Sequence, residues 1–445
     1  MYMAMHKVQL SSFDGTESYE CSVQRPEKYQ QLFDTINLSG NCIVRGAGLT
    51  YCMASGGAGS TSIEFAKFNR ILAFDVNLGY IKVEAGISVG DLLGYIIKKG
   101  WYFPVFPGYP TITIGGCLAN NVHGKSQFKS GNFGNHVIEF NLYHPDYGEI
   151  TCSHTKNQEI FHLTIGGLGL TGVILSVTLA LELLKGCSMA KQKVPCRSLQ
   201  EAATVMYSQK DLYEYVYSWN NLNLRGKHFG KGIVYLEQFS REVSPGKFRN
   251  YRGTIDSENR KSFTPGLLNR MTTGIECAGY YFLERILAGP SILSIEKSTF
   301  PIYGKEIYFK LFGKKGLREY QLIIPEAGSE SFFYELEKMI GKLKVPIALG
   351  SLKLFCGENR HLNFCQDGIC LALDIPARDK YQELFYQLDQ LVINHNGIAN
   401  LSKDSRLSTA GVSKMYIEYK DFKDQLLKFD PQKRFNSALR ERIGV

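Results

Sequence analysis

Hydrophobic and polar positions along this chain change period several times, and those changes outline its elements. From Val173 to Glu182 the alternation is strict. Val173, Leu175, Val177, Leu179 and Leu181 fall on one side; Ile174, Ser176, Thr178, Ala180 and Glu182 fall on the other. A period of two predicts a strand. The uncharged run Leu163–Leu181 is nearly long enough to cross a bilayer as a helix, but Gly166, Gly167, Gly169 and Gly172 and the alternation argue against one. Ser88–Lys99 instead has helical spacing at Leu92, Leu93, Ile96 and Ile97, with Ser88 as N-cap. Val8 and Leu10 suggest a first strand, Arg25-Pro26 opens a helix through Tyr29, Leu32 and Phe33, and Asn41–Val44 reads as a brief strand. Ile71–Asp75 and Tyr80–Glu84 also read as strands, and Val137–Tyr143 with Gly148–Cys152 as a hairpin.

Near Lys185 the glycine loops stop. Aromatic-rich strands (Tyr213–Trp219, Gly232–Glu237, Tyr320–Pro325, Leu352–Phe355, Gly368–Ile375) then alternate with helices over Ser331–Leu343 and Lys380–Asn394. The fold class expected is α+β, in two domains: residues 1–185, completed by 398–445, and an antiparallel-sheet domain over 186–397.

Composition adds constraints. The chain has 445 residues, 44% hydrophobic and 21% charged, which is ordinary for a packed globular protein. A net charge of +9 over this length argues against a nucleic-acid binder and for a local basic patch. One candidate patch is 241–270, with Arg241, Lys247, Arg249, Arg252, Arg260, Lys261 and Arg270 against Glu242, Asp256 and Glu258; it reads equally as a solvated loop or as a membrane-facing one. Eleven cysteines without a CxxC pair or zinc spacing predict reduced thiols and no metal site, and the start lacks a signal-peptide pattern, so a cytoplasmic protein is expected.

The chemistry is carried by glycine-rich segments. Gly167-Leu168-Gly169-Leu170-Thr171-Gly172 matches GxGxxG letter for letter, but that fingerprint needs a following helix to hold the pyrophosphate, and a strand follows here. Gly124-Lys125-Ser126 lacks the upstream glycine of a Walker loop, Ala119 standing there instead. Taken together, Gly46–Tyr51, Pro107–Lys125, Gly131–Val137 and Gly166–Ile174 supply small residues and backbone N–H groups within roughly 130 residues. That set suits one large diphosphate cofactor held between two small α+β layers.

The order of these loops resembles the PCMH-type FAD-binding domain of the vanillyl-alcohol-oxidase superfamily. It runs Arg45-Gly46-Ala47-Gly48-Leu49-Thr50-Tyr51, Pro107-Gly108, Thr113-Ile114-Gly115-Gly116, His123-Gly124-Lys125 and Gly166–Gly172. Gly131–Val137, Lys353-Leu354-Phe355, Lys403-Asp404-Ser405-Arg406 and Asp430-Pro431 resemble a narrower branch that oxidises a polyprenyl-phosphate-linked ribose. The resemblance implies a two-subdomain FAD-binding domain and an antiparallel-sheet substrate domain. It implies cofactor contacts at Arg45, Gly46, Ala47, Gly48, Leu49, Thr50, Tyr51, Gly108, Thr113, Ile114, Gly115, Gly116, Asn120, Asn121, Val122, His123, Gly172, Ile174 and Asn400. Leu49 stands where members with covalent flavin often carry histidine, which implies non-covalent FAD. Lys403, Tyr51 and His123 take the catalytic positions, and Lys125, Trp219, Gln321, Lys353 and Ala372 the substrate positions. Two departures stand out: Glu319 replaces a glutamine, and Ala372 occupies the place of a cysteine, with Cys370 two residues earlier.

The reaction implied is oxidation of a sugar hydroxyl, foremost the 2′-hydroxyl of a polyprenyl-phosphate-linked ribose, with a separate NAD(P)H-dependent ketoreductase completing an epimerisation. A soluble sugar or aldonolactone substrate, and a binding protein without chemistry, are the alternatives. For a lipid substrate, Tyr280–Leu283 and Ile286–Ile295 offer an apolar stretch for peripheral membrane contact, against simple core packing.

Overall fold

The computed structural model describes residues 6–243 and 266–445. Lys247, Arg249, Arg252, Arg260 and Lys261 of the basic stretch lie outside them. The GxGxxG look-alike does end in a strand: Gly172 takes a φ of 141°, and Val173–Ala180 starts directly after it. That strand is the middle of a five-stranded antiparallel sheet, in the order Ile71–Asp75, Tyr80–Glu84, Val173–Ala180, Val137–His144, Gly148–Ser153. Its alternation predicts one buried face, yet Ile174 and Ser176 are buried as well. The second face is covered too, and Ile174 borders the large cavity described below. Ser88 caps the helix Val89–Ile96 by accepting from the Asp91 amide, and Leu92, Leu93 and Ile96 bury its inner face.

A mixed four-stranded sheet runs His6–Ser11, Ser18–Gln24, Thr61–Glu64, Cys42–Arg45. The hydrophobic pattern does not predict Ser18–Gln24 or Thr61–Glu64. In the latter Ile63 is the one aliphatic residue, and parallel neighbours on both sides supply the burial. The C-terminal tail returns to this sheet: the Cys42 amide donates to Arg434 O (2.9 Å), and the Asn436 amide donates to Cys42 O (3.0 Å). Arg440 locks the tail. It is fully buried, donates to Phe435 O (2.6 Å) and Val445 O (3.1 Å), and lies 3.3 Å from Asp430.

The remaining sheet is the predicted antiparallel one, eight strands in the order Ser291–Leu293, Ser188–Cys196, Lys231–Ser240, Tyr215–Asn221, Leu349–Phe355, Gly368–Pro376, Leu317–Ile324, Ile398–Ala399. Helices Leu199–Gln209, Ser329–Leu343 and Gln382–Asn394 pack on it. Strand periodicity decides the rest. Tyr217, Trp219, Tyr235, Ser351, Lys353, Ala372, Glu319 and Gln321 are spaced by twos on their strands, and all face one cavity. The helix Arg270–Ile286 closes part of that cavity through Glu276, Cys277, Tyr280 and Glu284. No helix among the described residues is long and apolar enough to cross a membrane.

Asp430 gives a stability prediction. Burial works to raise its pKa, but the His144 ring 3.8 Å away, hydrogen bonds from the amides of Arg434 and Phe435, and the Arg440 charge hold it below the ordinary value. A depressed carboxyl contributes stability above its unfolded pKa, and that contribution is lost as pH falls through the folded value. Arg440→Met should cost about 3 kcal/mol, because a buried carboxylate loses its partner. Urea denaturation at neutral pH should show that loss, and the gap between variant and parent should narrow at acid pH.

Candidate active site

The cavity between the two small sheets and the large one has a volume of about 1390 Å³. Its floor is the loop that leaves strand Cys42–Arg45. Gly48 takes a φ of 64°, and a Cβ there would lie 2.2 Å from the Arg45 guanidinium. A Cβ on Gly46 would lie 2.3 Å from Thr113 Oγ1, so these glycines allow two backbone segments to meet. Among the described residues, the amides of Gly46, Ala47, Gly48 and Leu49 bond to no acceptor of the chain. A run of unbonded amides on a cavity wall is a cradle for an anion, and a diphosphate fits it.

Around this loop the cavity gathers Thr50, Tyr51, Gly108, Thr113, Gly115, Gly116, Asn120, Asn121, Val122, His123, Gly172, Ile174 and Asn400. Thr113 caps the short helix Ile114–Ala119 and accepts from the Gly116 amide (3.2 Å). Asn121, at a φ of 40°, accepts from the Gly134 amide (2.8 Å) and so braces the loop. Two of the expected contact residues lie off the cavity wall. Ile114 faces the core and is fully buried, and its amide donates to Ile87 O (2.9 Å). The Arg45 side chain lies under Gly48 and donates to Ser55 Oγ (2.9 Å). Neither borders the cavity.

Distant segments meet at one cluster. The Tyr51 amide donates to Ser402 O (2.9 Å), which sets Lys403 beside the glycine loop. Lys403 Nζ lies 3.7 Å from the centre of the Tyr51 ring and 3.1 Å from Glu319 Oε2. The adjacent Asp404 pairs elsewhere, with Arg406 (3.1 Å) and Arg442 (3.3 Å). Burial drives the Tyr51 hydroxyl well above its ordinary pKa, and Glu319 and Asp374 add to this, so the phenol stays protonated. Asp374 sits opposite Glu319 in register and accepts from Tyr308 (2.7 Å). Burial and the nearby Glu319 charge push its carboxyl upward, and its second oxygen has no bonding partner among the described residues. Burial, with the charges of Lys353 and Lys403, drives His123 well below its ordinary pKa, so the imidazole is neutral. The Gln321 amide nitrogen lies 3.4 Å from His123 Nε2, and Gln321 Oε1 accepts from Asn400 (2.7 Å).

A second charged cluster borders the same cavity. Lys125 donates to Ser298 O and lies 4.6 Å over the Tyr217 ring. Burial lowers its pKa to about 8, against the opposing pull of Glu237. Glu237 is fully buried, accepts from Tyr217 (2.7 Å) and lies 3.4 Å from Lys191. Burial works to raise its pKa, but Lys125 and Lys191 hold it below the ordinary value. Lys353 is half-buried, desolvation lowers its pKa, and its charge is felt by both His123 and Lys125. Trp219 packs on Tyr280 (4.7 Å between ring centres), while Ala372 lines the wall two residues along the strand from the buried Cys370.

Sequence reading thus missed Asp374, Tyr308, Glu237 and Lys191. Three of the four lie on strands and all in cooperating pairs, and a lone acid or lysine on a strand carries no signal until its partner's register is known.

Residues 23–153 match the family model described as FAD binding domain. The chain is 24% identical over 413 residues to a decaprenylphosphoryl-beta-D-ribose oxidase of Mycolicibacterium smegmatis, covering 91% of this chain and 89% of that protein. It is 32% identical to L-gulonolactone oxidase of Mus musculus, over 26% of each chain. It is also 32% identical to a D-lactate dehydrogenase of Anaerostipes hadrus, over 27% of this chain and 26% of that protein. The amide cradle and much of the cavity it borders fall within residues 23–153, which form an FAD-binding domain.

Proposed function

We propose that this protein oxidises the 2′-hydroxyl of a ribose carried on a polyprenyl phosphate, a separate NAD(P)H-dependent reductase then completing an epimerisation to arabinose. The observation that carries this reading is one cavity bordered by an amide cradle, by the Lys403–Glu319 pair and by a second lysine cluster. The likeness to the mycobacterial oxidase along most of both chains supports the same substrate class.

When bound, FAD supplies the acceptor for the hydride leaving the carbinol carbon. The cradle Gly46–Leu49 would hold its diphosphate, with Gly108, Gly116 and Ile174 beside it. Lys403 presents an N–H to the substrate oxygen and stabilises the alkoxide charge as the carbon loses hydride; Glu319 accepts the displaced proton through that lysine. Tyr51, held protonated, donates to Glu319 and keeps it aimed at Lys403. Gln321 and Asn400 fix the neutral His123 ring as a hydrogen-bonding wall. Lys125 and Lys353 offer positive charge to a phosphate, and Trp219 offers a flat face to sugar or prenyl carbon.

The test is anaerobic mixing of the flavin-loaded protein with a polyprenylphosphoryl ribose. Bleaching of the visible flavin band is expected. An unchanged spectrum, with bleaching by an aldonolactone or free sugar instead, would move the assignment to a soluble substrate; a colourless preparation that takes up no FAD would leave only a binding role.

Three predictions follow from the site's electrostatics. Lys403→Met should slow flavin reduction by about 100-fold or more while leaving flavin content unchanged, measured by stopped-flow absorbance. Lys125 is charged below a pH of about 8 and neutral above it, so KM for a phosphate-bearing substrate should rise as pH climbs past that value. Lys125→Gln should abolish that rise, with kcat changing little. Finally, among the described residues His123 is the one histidine that borders the cavity, and Leu49 sits in the cradle loop. Acid precipitation should therefore leave the flavin in the supernatant.

A further inference from the structure

The helix Arg270–Ile286 has two unlike faces. Its inner face buries Thr273 and Cys277 and supplies Glu276, Cys277, Tyr280 and Glu284 to the cavity wall. Glu284 is answered by Lys193 (3.2 Å) and Tyr235 (2.9 Å). The outer face is apolar from end to end: Met271, Ile275, Ala278, Phe282 and Ile286 follow the helical repeat, with Leu283 and Leu287 on its flank. Met271, Ile275, Phe282, Leu283 and Ile286 are each 58–70% exposed. No carboxylate lies on that stripe, and the exposed charges that flank it on the helix, Arg270 and Arg285, are both positive.

That pattern is the opposite of a water-facing helix. A soluble chain rarely leaves so long an apolar stripe uncovered, and the stripe calls for an apolar surface bordered by negative charge. The helix is amphipathic, about 25 Å long by its residue count, and too short and too charged to span a bilayer. The neighbouring cavity border adds Lys297 and Lys305, both exposed, together with Ile302 and the exposed Ile307 nearby.

We propose that the outer face of helix Arg270–Ile286 docks on an anionic lipid bilayer, Arg270 and Arg285 meeting the headgroups. The helix then lies in the interface, and its inner face holds the cavity wall against the membrane surface. A lipid-borne substrate reaches the site along Tyr280 and Trp219 without its chain crossing water. The docking stands on the helix alone; only its purpose rests on the lipid-linked substrate proposed above.

The test is co-sedimentation of the full-length, flavin-loaded protein with vesicles of equal parts phosphatidylglycerol and phosphatidylcholine, and with vesicles of phosphatidylcholine alone. Binding is expected to the first and to be at least tenfold weaker to the second. Ile275→Asp with Phe282→Asp, and separately Arg270→Glu with Arg285→Glu, should each weaken binding to the mixed vesicles at least tenfold. All these positions are exposed, and unchanged flavin content would report an intact fold. Failure of the parent protein to bind mixed vesicles, or undiminished binding by the Ile275/Phe282 variant, overturns the proposal. So does a dimer, seen by sedimentation velocity, that the same variant dissolves, since the stripe would then cover a second copy. Flavin bleaching by substrate dispersed in detergent does not depend on docking, so a failure there counts against the substrate and not against the helix.

Discussion

Four consecutive amides, Gly46 to Leu49, without an acceptor in the chain, are the constraint around which the rest is arranged. Half-exposed on a cavity wall, these N–H groups are free to meet the acceptor oxygens of an anion. Meeting that condition fixes much else. Gly46 must lack a Cβ for Thr113 to approach, Gly48 must take a left-handed turn over Arg45, and Ser402 must pull Tyr51 inward. That last bond joins the cradle to the reacting groups, because Lys403 follows it directly. The cradle and the Lys403–Glu319 pair therefore share one piece of backbone, which brings together residues 352 positions apart.

Charge is handled in the same economical way at the reacting end. Burying Lys403 and Glu319 separately would be costly; at 3.1 Å each offsets the desolvation of the other. Asp374 could not join them as a second anion, and burial with the neighbouring Glu319 charge holds it toward its neutral form. Tyr308 and Tyr51 then supply hydrogen bonds without adding charge. Around the Lys403–Glu319 pair, Asp374 is held toward its neutral form and Tyr51 stays protonated.

Much of this was legible in the sequence because glycine and strand periodicity are local signals. The loops Gly46–Tyr51 and Thr113–His123, the strand Val173–Ala180 and the Ser88 cap follow from residues a few positions apart. Thr61–Glu64 escaped because its neighbours on the sheet, rather than its own residues, make it a strand. Ile114 and Arg45 belong to these segments but their side chains turn away from the cavity, since membership of a glycine loop says nothing about which side chains turn to the core. The partner of Lys403 was not legible for a related reason: Glu319 comes from a strand whose register no local pattern reveals. Asp430, marked in the sequence beside Pro431, turned out to hold the C-terminal tail through Arg440.

The cavity's two charge clusters bear on what kind of molecule it suits. Glu319 with Lys403, and Glu237 with Lys125 and Lys191, are separate sets linked through the field of Lys353. The first has a carboxylate bonded to its lysine and a hydrogen-bonding wall of His123, Gln321 and Asn400, which fits a neutral hydroxyl. In the second, two lysines face one fully buried carboxylate, leaving a surplus of positive charge. A small neutral sugar would use the first set and leave that surplus unanswered in a buried setting, where uncompensated charge is expensive. A molecule carrying both a hydroxyl and a phosphate would answer both sets at once, which is the charge argument behind the proposed phosphorylated substrate.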